Sequence, residues 1–260
     1  VSQGLDRRRV RYVVDLLHTL VQRDIHLRYR RSVLGLAWSL LNPLLQLAVF
    51  DFVFRVLLPL KIPDYTLFLF TGLLVWTWFQ SSLVSATGAI VDNAALVRQP
   101  GFPDAVLPIV AVMSNLVNFV LALPILAWFL VMRGNVSVEA LLALPVVIAA
   151  QFVFTLSLAY LLASIHVSFR DTQYLLGILL TLGFYLAPVF YDVKTIPAEY
   201  RDTYTLNPVA VLIFSYRKIF LAGEAPEWLP LLVIMAGSAV MLAVTLRAFS
   251  RARHRFVEEL

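Results

Sequence analysis

Six long, mostly apolar stretches decide what this chain can fold into. They run over Val33–Leu58, Tyr65–Val91, Ala105–Met132, Val138–Val167, Tyr174–Tyr191 and Trp228–Phe249. A helix needs roughly 20 such residues to span a hydrocarbon core about 30 Å thick. Backbone groups in lipid must be satisfied within the protein, so only helices or closed barrels cross it. The runs do not alternate apolar with polar, which reads as helix. Pro43, Pro124, Pro145 and Pro188 fall within or near the ends of these runs, where membrane helices tolerate them. Apolar residues make up 60% of the chain and charged residues 14%, against ~45–50% and ~25% in soluble domains. The expected fold is an all-α integral membrane protein with six transmembrane helices. Residues 33–260 form one transmembrane domain, preceded by an interface segment over residues 1–32.

Six spans put both termini on one side. The segment before the first span holds Arg7, Arg8, Arg9, Arg11, Arg23, Arg28, Arg30 and Arg31, and the tail adds Arg247, Arg251, Arg253 and Arg255. With Arg98 and Arg170 in short loops, that side collects 14 of the 21 Lys and Arg. Arg55, Lys61, Arg133, Lys194, Arg201, Arg217 and Lys218 fall on the other. The bias of basic residues places both termini in the cytoplasm. Val1-Ser2 is not followed by the short apolar run and cleavage site of a signal peptide. Cysteine is absent, which excludes disulfides, thiol catalysis and thiolate metal sites.

Three segments lie outside the spans. In the first, Val10, Val13, Val14, Leu17, Val21 and Ile25 recur at helical spacing, which predicts an amphipathic helix at the membrane interface. His18 and His26 belong to it. The second is the inner loop Asp92–Asp104, where Asp92 or Asn93 is placed to cap a short helix over Ala94–Arg98 before Pro100-Gly101 breaks it. The third is the outer segment Asp192–Glu227, punctuated by Pro197, Asn207-Pro208 and Pro226. Its apolar run is too short to cross, so two short re-entrant helices are expected there. Their functional reading is an exit gate; the plainer one is a lid packed on the bundle.

The chemistry is sparse. No GxxxxGK[ST] loop is present to hold ATP, and no HExxH or GxSxG pattern occurs. His166 near Arg170 and Asp171 reads as a loop polar cluster rather than a catalytic pair. Asn135-Val136-Ser137 matches a glycosylation sequon, a weak pattern. Asp51 and Arg55 stand four apart in the first span, suited to pairing within the membrane. Trp38, Ser39, Asn42 and Gln46 give that span a polar stripe that calls for another helix or water. Trp76, Trp78, Trp128 and Trp228 are candidates for the headgroup-level belt. Tyr174, Phe184, Tyr185 and Tyr191, with Phe50 and Phe54, are candidates to line a pathway. Aromatic faces match the apolar C–H faces of sugar rings.

Several stretches occur in a familiar order: Arg23–Gln46 (RDIHLRYRRSVLGLAWSLLNPLLQ), Leu69–Phe79 (LFTGLLVWTWF), Val91–Val97 (VDNAALV), Phe169–Tyr174 (FRDTQY) and Thr205–Gly223 (TLNPVAVLIFSYRKIFLAG). Across nearly its whole length the chain resembles the permease subunit of type-2 ABC exporters, in the branch that moves O-antigen, capsule-like glycans and teichoic acids. Many relatives carry a basic residue in the inner loop where this chain reads Gln99-Pro100-Gly101-Phe102-Pro103, so the local docking surface is expected to differ.

The resemblance implies a homodimer joined to two separate ABC ATPase subunits, which bind the ATP and Mg; this chain binds no cofactor or metal itself. The substrate is a lipid-linked glycan, with no role for nucleic acid. A channel at the dimer interface would be lined by Trp38, Asn42, Gln46, Phe50, Phe54, Tyr174, Phe184, Tyr185 and Tyr191. Arg23, Arg28, Asp92, Asn93, Arg98, Pro100, Phe102, Arg170 and Asp171 would meet the ATPases. Pro208, Phe214, Tyr216 and Arg217 would form the outer gate. The alternatives are a drug or lipid exporter of the same superfamily, which predicts a narrow apolar pocket, and a membrane transferase acting on lipid-linked sugars. The second needs an acid/base constellation, for which only His166 and Asp171 offer themselves.

Overall fold

The computed structural model describes residues 2–30, 32, 34–35, 37–133 and 137–259. Arg31, the expected span start at Val33 and the sequon's Asn135 lie outside them. The described residues begin with α1 (Ser2–Tyr29). Its inward face carries buried Leu20, with Val13, Leu16, Leu17 and Val21 packed against the core. Those positions follow the i, i+3, i+4, i+7, i+8 stripe of an amphipathic helix. Val14, expected on that face, points outward, and Leu16 and Leu20 take its place.

After α1 come α2 (Ala37–Asp51), α3 (Tyr65–Asp92), the single turn α4 (Ala94–Val97) and α5 (Val106–Arg133). The short α6 (Val138–Leu142) leads into α7 (Leu144–Ser168), followed by α8 (Thr172–Leu186). The segment after α8 holds α9 (Ala198–Thr205) and α10 (Pro208–Arg217), and α11 (Trp228–Glu259) follows. Two helices run on with wider π turns, α2 over Phe52–Leu57 and α10 over Lys218–Ala222. The local signals are ordinary. Ser137 Oγ accepts from Ala140 N ahead of α6, and Asn207 Oδ1 accepts from Val209 N ahead of α10, where Pro208 opens the helix.

Five helical segments among the described residues are long and apolar enough to cross a membrane: Ala37–Leu57, Tyr65–Asp92, Val106–Met132, Val138–Ser168 and Trp228–Ala252. The fifth expected span differs. Its helix stops at Leu186 rather than reaching Tyr191, because Ala187 precedes Pro188 and turns to extended backbone (φ −85°, ψ 143°). Clash with the proline ring disfavours helix at the preceding residue. The 15 residues of α8 rise about 22 Å.

The bundle is built around α3. In the most apolar stretch of each span, 78% of α3 is buried, against 11% for α2 and 17% for α11. α5 and α7 flank α3, α11 runs along α7, α1 lies on α5, and α2 and α8 rest on the remaining side of α3. Trp76 and Trp78, expected in the headgroup belt, are instead buried core residues of α3, whereas Trp128 and Trp228 are exposed. The reason is position: Trp76 packs on Phe184 of α8 and Trp78 on Phe119 of α5, so both rings face other helices rather than lipid.

Candidate functional site

Where α2, α3 and α8 meet, they leave a cleft of about 310 Å³. α2 contributes Asn42, Gln46 and Phe50, one helical turn apart on one face. Across from them α3 supplies Trp76, Thr77, Gln80 and Ser81, and α8 supplies Thr181, Phe184 and Tyr185. Trp76 Nε1 donates to Gln80 Oε1 at 2.7 Å, and Gln46 Nε2 donates to Asn42 Oδ1 at 3.5 Å. Both are i, i+4 pairs, so neighbouring turns of each helix present aligned polar groups. The lining offers amide and hydroxyl groups beside aromatic faces and carries no charge.

At one end the cleft runs into an aromatic cluster. Phe50 packs against Phe54 (6.0 Å between ring centroids), Phe184 (5.8 Å) and Phe190 (5.9 Å). Phe184 meets Trp76 and Tyr185 at 5.9 and 5.6 Å. Phe190 adds Tyr191 at 5.0 Å, and Tyr191 and Tyr204 share a hydroxyl hydrogen bond of 3.0 Å. Of the pathway candidates from the sequence, Phe50, Phe54, Phe184, Tyr185 and Tyr191 thus come together. Tyr191 does so from the turn beyond α8 rather than from the helix. Tyr174 stands at the opposite end of α8 and is exposed. Trp38 is exposed near the start of α2, apart from this cleft. Sequence reasoning missed Trp76, Thr77, Gln80, Ser81 and Phe190. The i, i+4 run of Trp76 and Gln80, joined by Thr77 and Ser81, was the signal for the α3 wall.

The segment that carries α9 and α10 is anchored through Arg217. Its Nη1 donates to Pro188 O at 2.7 Å, and its Nη2 donates to Val189 O at 2.7 Å and Phe68 O at 3.2 Å. Arg217 and Tyr216 are both buried, Phe214 and Pro208 partly so. Counted in sequence as an outside charge, Arg217 sits within the protein because three carbonyls replace its water. Close approach of Val189 O and Arg217 Nη2 to Gly72 leaves no room for a Cβ there, which would fall 2.6 and 2.9 Å from them. Near this end Asp51 Oδ1 accepts from Thr66 Oγ1 at 2.7 Å, and Asp51 Oδ2 stands 3.7 Å from Arg55 Nη1.

At the other end of the bundle, Arg23 Nη2 of α1 donates to Asn93 Oδ1 at 2.8 Å. Asn93 precedes α4, but its side chain does not cap that helix; its Nδ2 donates back to Ala89 O at 2.9 Å. Asp92, Arg98, Pro100, Arg170 and Asp171 are exposed on this rim. Phe102 is not a surface residue; it is buried in the core. Arg28 Nη1 turns inward to Asn115 Oδ1 at 2.9 Å. His166 is buried within α7, while Asp171 is exposed, so the two do not form a shared reactive group. Among the described residues, no cluster of His, Asp and Glu is arranged to hold a metal ion.

Comparison with known proteins adds a consistent picture. The family model described as ABC-2 type transporter matches residues 15–221. The chain is 39% identical over 247 residues to the O-antigen export system permease protein RfbA of Myxococcus xanthus, covering 94% of this chain and 95% of that protein. A protein of the same name from Klebsiella pneumoniae is 32% identical over 251 residues, with 96% of each chain covered. The polysialic acid transport protein KpsM of Escherichia coli is 23% identical over 238 residues, covering 90% of this chain and 92% of that one.

Proposed function

The chain belongs to the ABC-2 type transporter family, and on that premise we propose that it is the membrane permease subunit of an ATP-driven exporter of a lipid-linked polysaccharide. The names of its relatives, O-antigen export and polysialic acid transport proteins, support a polysaccharide cargo.

The observation that carries the cargo reading is the cleft itself. A polysaccharide presents hydroxyl rims and flat C–H faces. Asn42, Gln46, Thr77, Gln80, Ser81 and Thr181 answer the rims, and the rings of Phe50, Phe184 and Tyr185 answer the faces. Uncharged, shallow contacts of this kind let a polymer advance without being held. A drug exporter would instead present a mostly apolar pocket. A transferase would need an acid/base pair, and the buried His166 and exposed Asp171 do not provide one.

The cleft is open on one side, and α2 and α8 expose broad apolar faces beside it. Leu45, Val49, Phe52 and Val56 lie on one and Leu175, Ile178, Leu179 and Leu182 on the other. A second copy of the chain set against them encloses the cleft as a channel between protomers. ATP and Mg are bound by two separate ATPase subunits, which meet the rim of Arg23, Asp92, Asn93, Arg98, Pro100, Arg170 and Asp171. α1 lies along the cytoplasmic interface, and both termini are cytoplasmic, following the excess of basic residues on that side. α9 and α10 dip into the outer leaflet and border the exit. Energy from the partner reaches the glycan as a switch between two packings of the dimer; no bond is made or broken on this chain.

The test uses the chain purified with and without its ATPase partner and reconstituted in vesicles. ATP hydrolysis only in the complex, falling on Arg98→Ala, together with movement of lipid-linked glycan, is the expected result. Glycosyl transfer by the isolated chain, or extrusion of small amphiphiles with no glycan movement, would overturn the reading.

A further inference from the structure

A cavity of about 740 Å³ lies between α2, α3 and α5 and shares no lining residue with the cleft. Asp51 and Arg55 reach it from the side of α2 turned away from Asn42, Gln46 and Phe50, because successive helical residues stand about 100° apart.

Its depth is set by the ends of three spans. Asp51 and Arg55 fall in the last two turns of Ala37–Leu57, Tyr65, Thr66 and Leu67 open Tyr65–Asp92, and Phe129 and Met132 close Val106–Met132. Lipid headgroups begin where spans end. Trp128, exposed one position before Phe129, stands where an interfacial belt residue belongs. Val131 and Met132 are exposed too, so the α5 wall opens toward acyl chains.

The polar part of the lining carries both signs. Arg55 supplies a guanidinium, and Asp51 and Asp64 supply carboxylates. Arg55 and Asp64 are exposed and Asp51 is partly so. Asp51 Oδ1 accepts from Thr66 Oγ1 at 2.7 Å, which fixes the carboxylate at the wall. Its Oδ2 stays 3.7 Å from Arg55 Nη1, beyond hydrogen-bond reach. An exposed i, i+4 pair at that distance is weak and yields readily to a better partner. Leu60, Ile62, Phe129 and Met132 make the rest of the lining apolar.

This lining selects by charge pattern. A plain anion meets two carboxylates, and a plain cation meets Arg55. A quaternary ammonium has no N–H to give the carboxylates. An amphiphile with a phosphate, a primary ammonium and apolar tails satisfies every wall, since guanidinium and ammonium groups both form charge-assisted bonds to oxyanions. We propose that the cavity binds a phospholipid with a phosphoethanolamine headgroup, Arg55 donating to its phosphate and its ammonium donating to Asp51 and Asp64. The site does not depend on the export reading.

The test is native mass spectrometry of the full chain in complex with its ATPase partner, released from detergent. The probes are dioleoyl phosphatidylethanolamine, phosphatidylcholine and phosphatidylglycerol, and water-soluble glycerophosphoethanolamine. Phosphatidylethanolamine is expected to bind roughly threefold or more tighter than either other lipid, and Arg55→Gln to weaken it by roughly threefold or more. Asp51→Asn with Asp64→Asn should abolish the preference over phosphatidylglycerol, because the ammonium loses its acceptors and the anionic lipid its repulsion. Asn at position 51 still accepts from Thr66, and an unchanged melting point shows that each variant is folded. Lys61→Gln, at an exposed cation beside the cavity but outside its lining, should change neither affinity nor preference. Equal binding of the three lipids by the parent chain overturns the proposal. So does full affinity in Arg55→Gln, a preference that survives the double carboxylate change, or a loss in Lys61→Gln as large as in Arg55→Gln. Glycerophosphoethanolamine binding as tightly as the lipid overturns it as well, since the tails would then contribute nothing. Binding is read without any export step, so a chain that moved no glycan would leave this result standing.

Discussion

Arg217 lies over the face of Phe68, its guanidinium carbon 3.3 Å from the ring centroid. The two residues are 149 positions apart, and their contact ties α10 to the first turn of α3. A cation desolvated against an aromatic face and three carbonyls is a strong local fastening. Arg217→Ala leaves buried carbonyls without donors and is expected to cost about 3 kcal/mol. Arg217→Lys recovers only part of this, since an ammonium lacks the planar fork. Thermal unfolding in detergent measures both, and an unchanged midpoint in Arg217→Ala would refute the role.

Gly72 makes the same fastening possible from the other side. A Cβ at this position meets backbone at Val189 O, which cannot turn aside. Gly72→Ala is expected to lower stability by about 1–3 kcal/mol, as overpacking does. Gly237→Ala in α11 is the control, because nothing lies within 4 Å of its Cβ. Equal melting of the two variants would show that the contact is not tight.

Tyr185 and Phe50 separate the role of the cleft from the packing of its wall. Tyr185 is 60% exposed, so Tyr185→Ala should reduce polymer export while the yield of folded protein and its melting stay near those of the parent. Phe50 is held among Phe54, Phe184 and Phe190, so Phe50→Ala should lose export and also roughly 2–3 kcal/mol of stability. Full export by Tyr185→Ala, assayed in cells against the level of folded protein, would remove it from the pathway.

Asn93 joins α1 to the turn between α3 and α4 through Arg23. The bond is exposed, so Asn93→Ala should change stability by less than about 0.5 kcal/mol. On the export reading it loosens the helix that transmits motion from the ATPase. Partner-stimulated ATP hydrolysis should then fall roughly threefold, the equivalent of one modest hydrogen bond. Stimulation equal to that of the parent would mean that α1 couples by another contact.

The long helices were legible because hydrophobic length is a local property. Four of the six expected stretches match spanning segments of the structure closely, and the first is described from Ala37 on, its expected start at Val33 lying outside the described residues. The end of α8 was misjudged because Ala187 and Val189 are as apolar as the helix before them; only Pro188 marks the stop. The inward face of α1 was placed one position off at Val14, since the sequence does not say where α5 lies. Trp76 and Trp78 looked like belt residues because a tryptophan's neighbours across the bundle are invisible in one dimension. The burial of Arg217 was illegible for the same reason: Pro188 and Val189 lie 29 and 28 residues away from it, and Phe68 farther still. The cleft was half legible, through the polar stripe of α2 and the aromatics of α8, while its α3 wall was not.

The shortness of α8 bears on the pathway as much as on the fold. Its rise falls roughly 8 Å short of an average hydrocarbon core. On the export reading the exposed face of α8 meets a second protomer rather than acyl chains, so the shortfall falls beside the cleft itself. The polar end of the glycan's anchor would then pass a wall about 22 Å tall instead of a full hydrocarbon core.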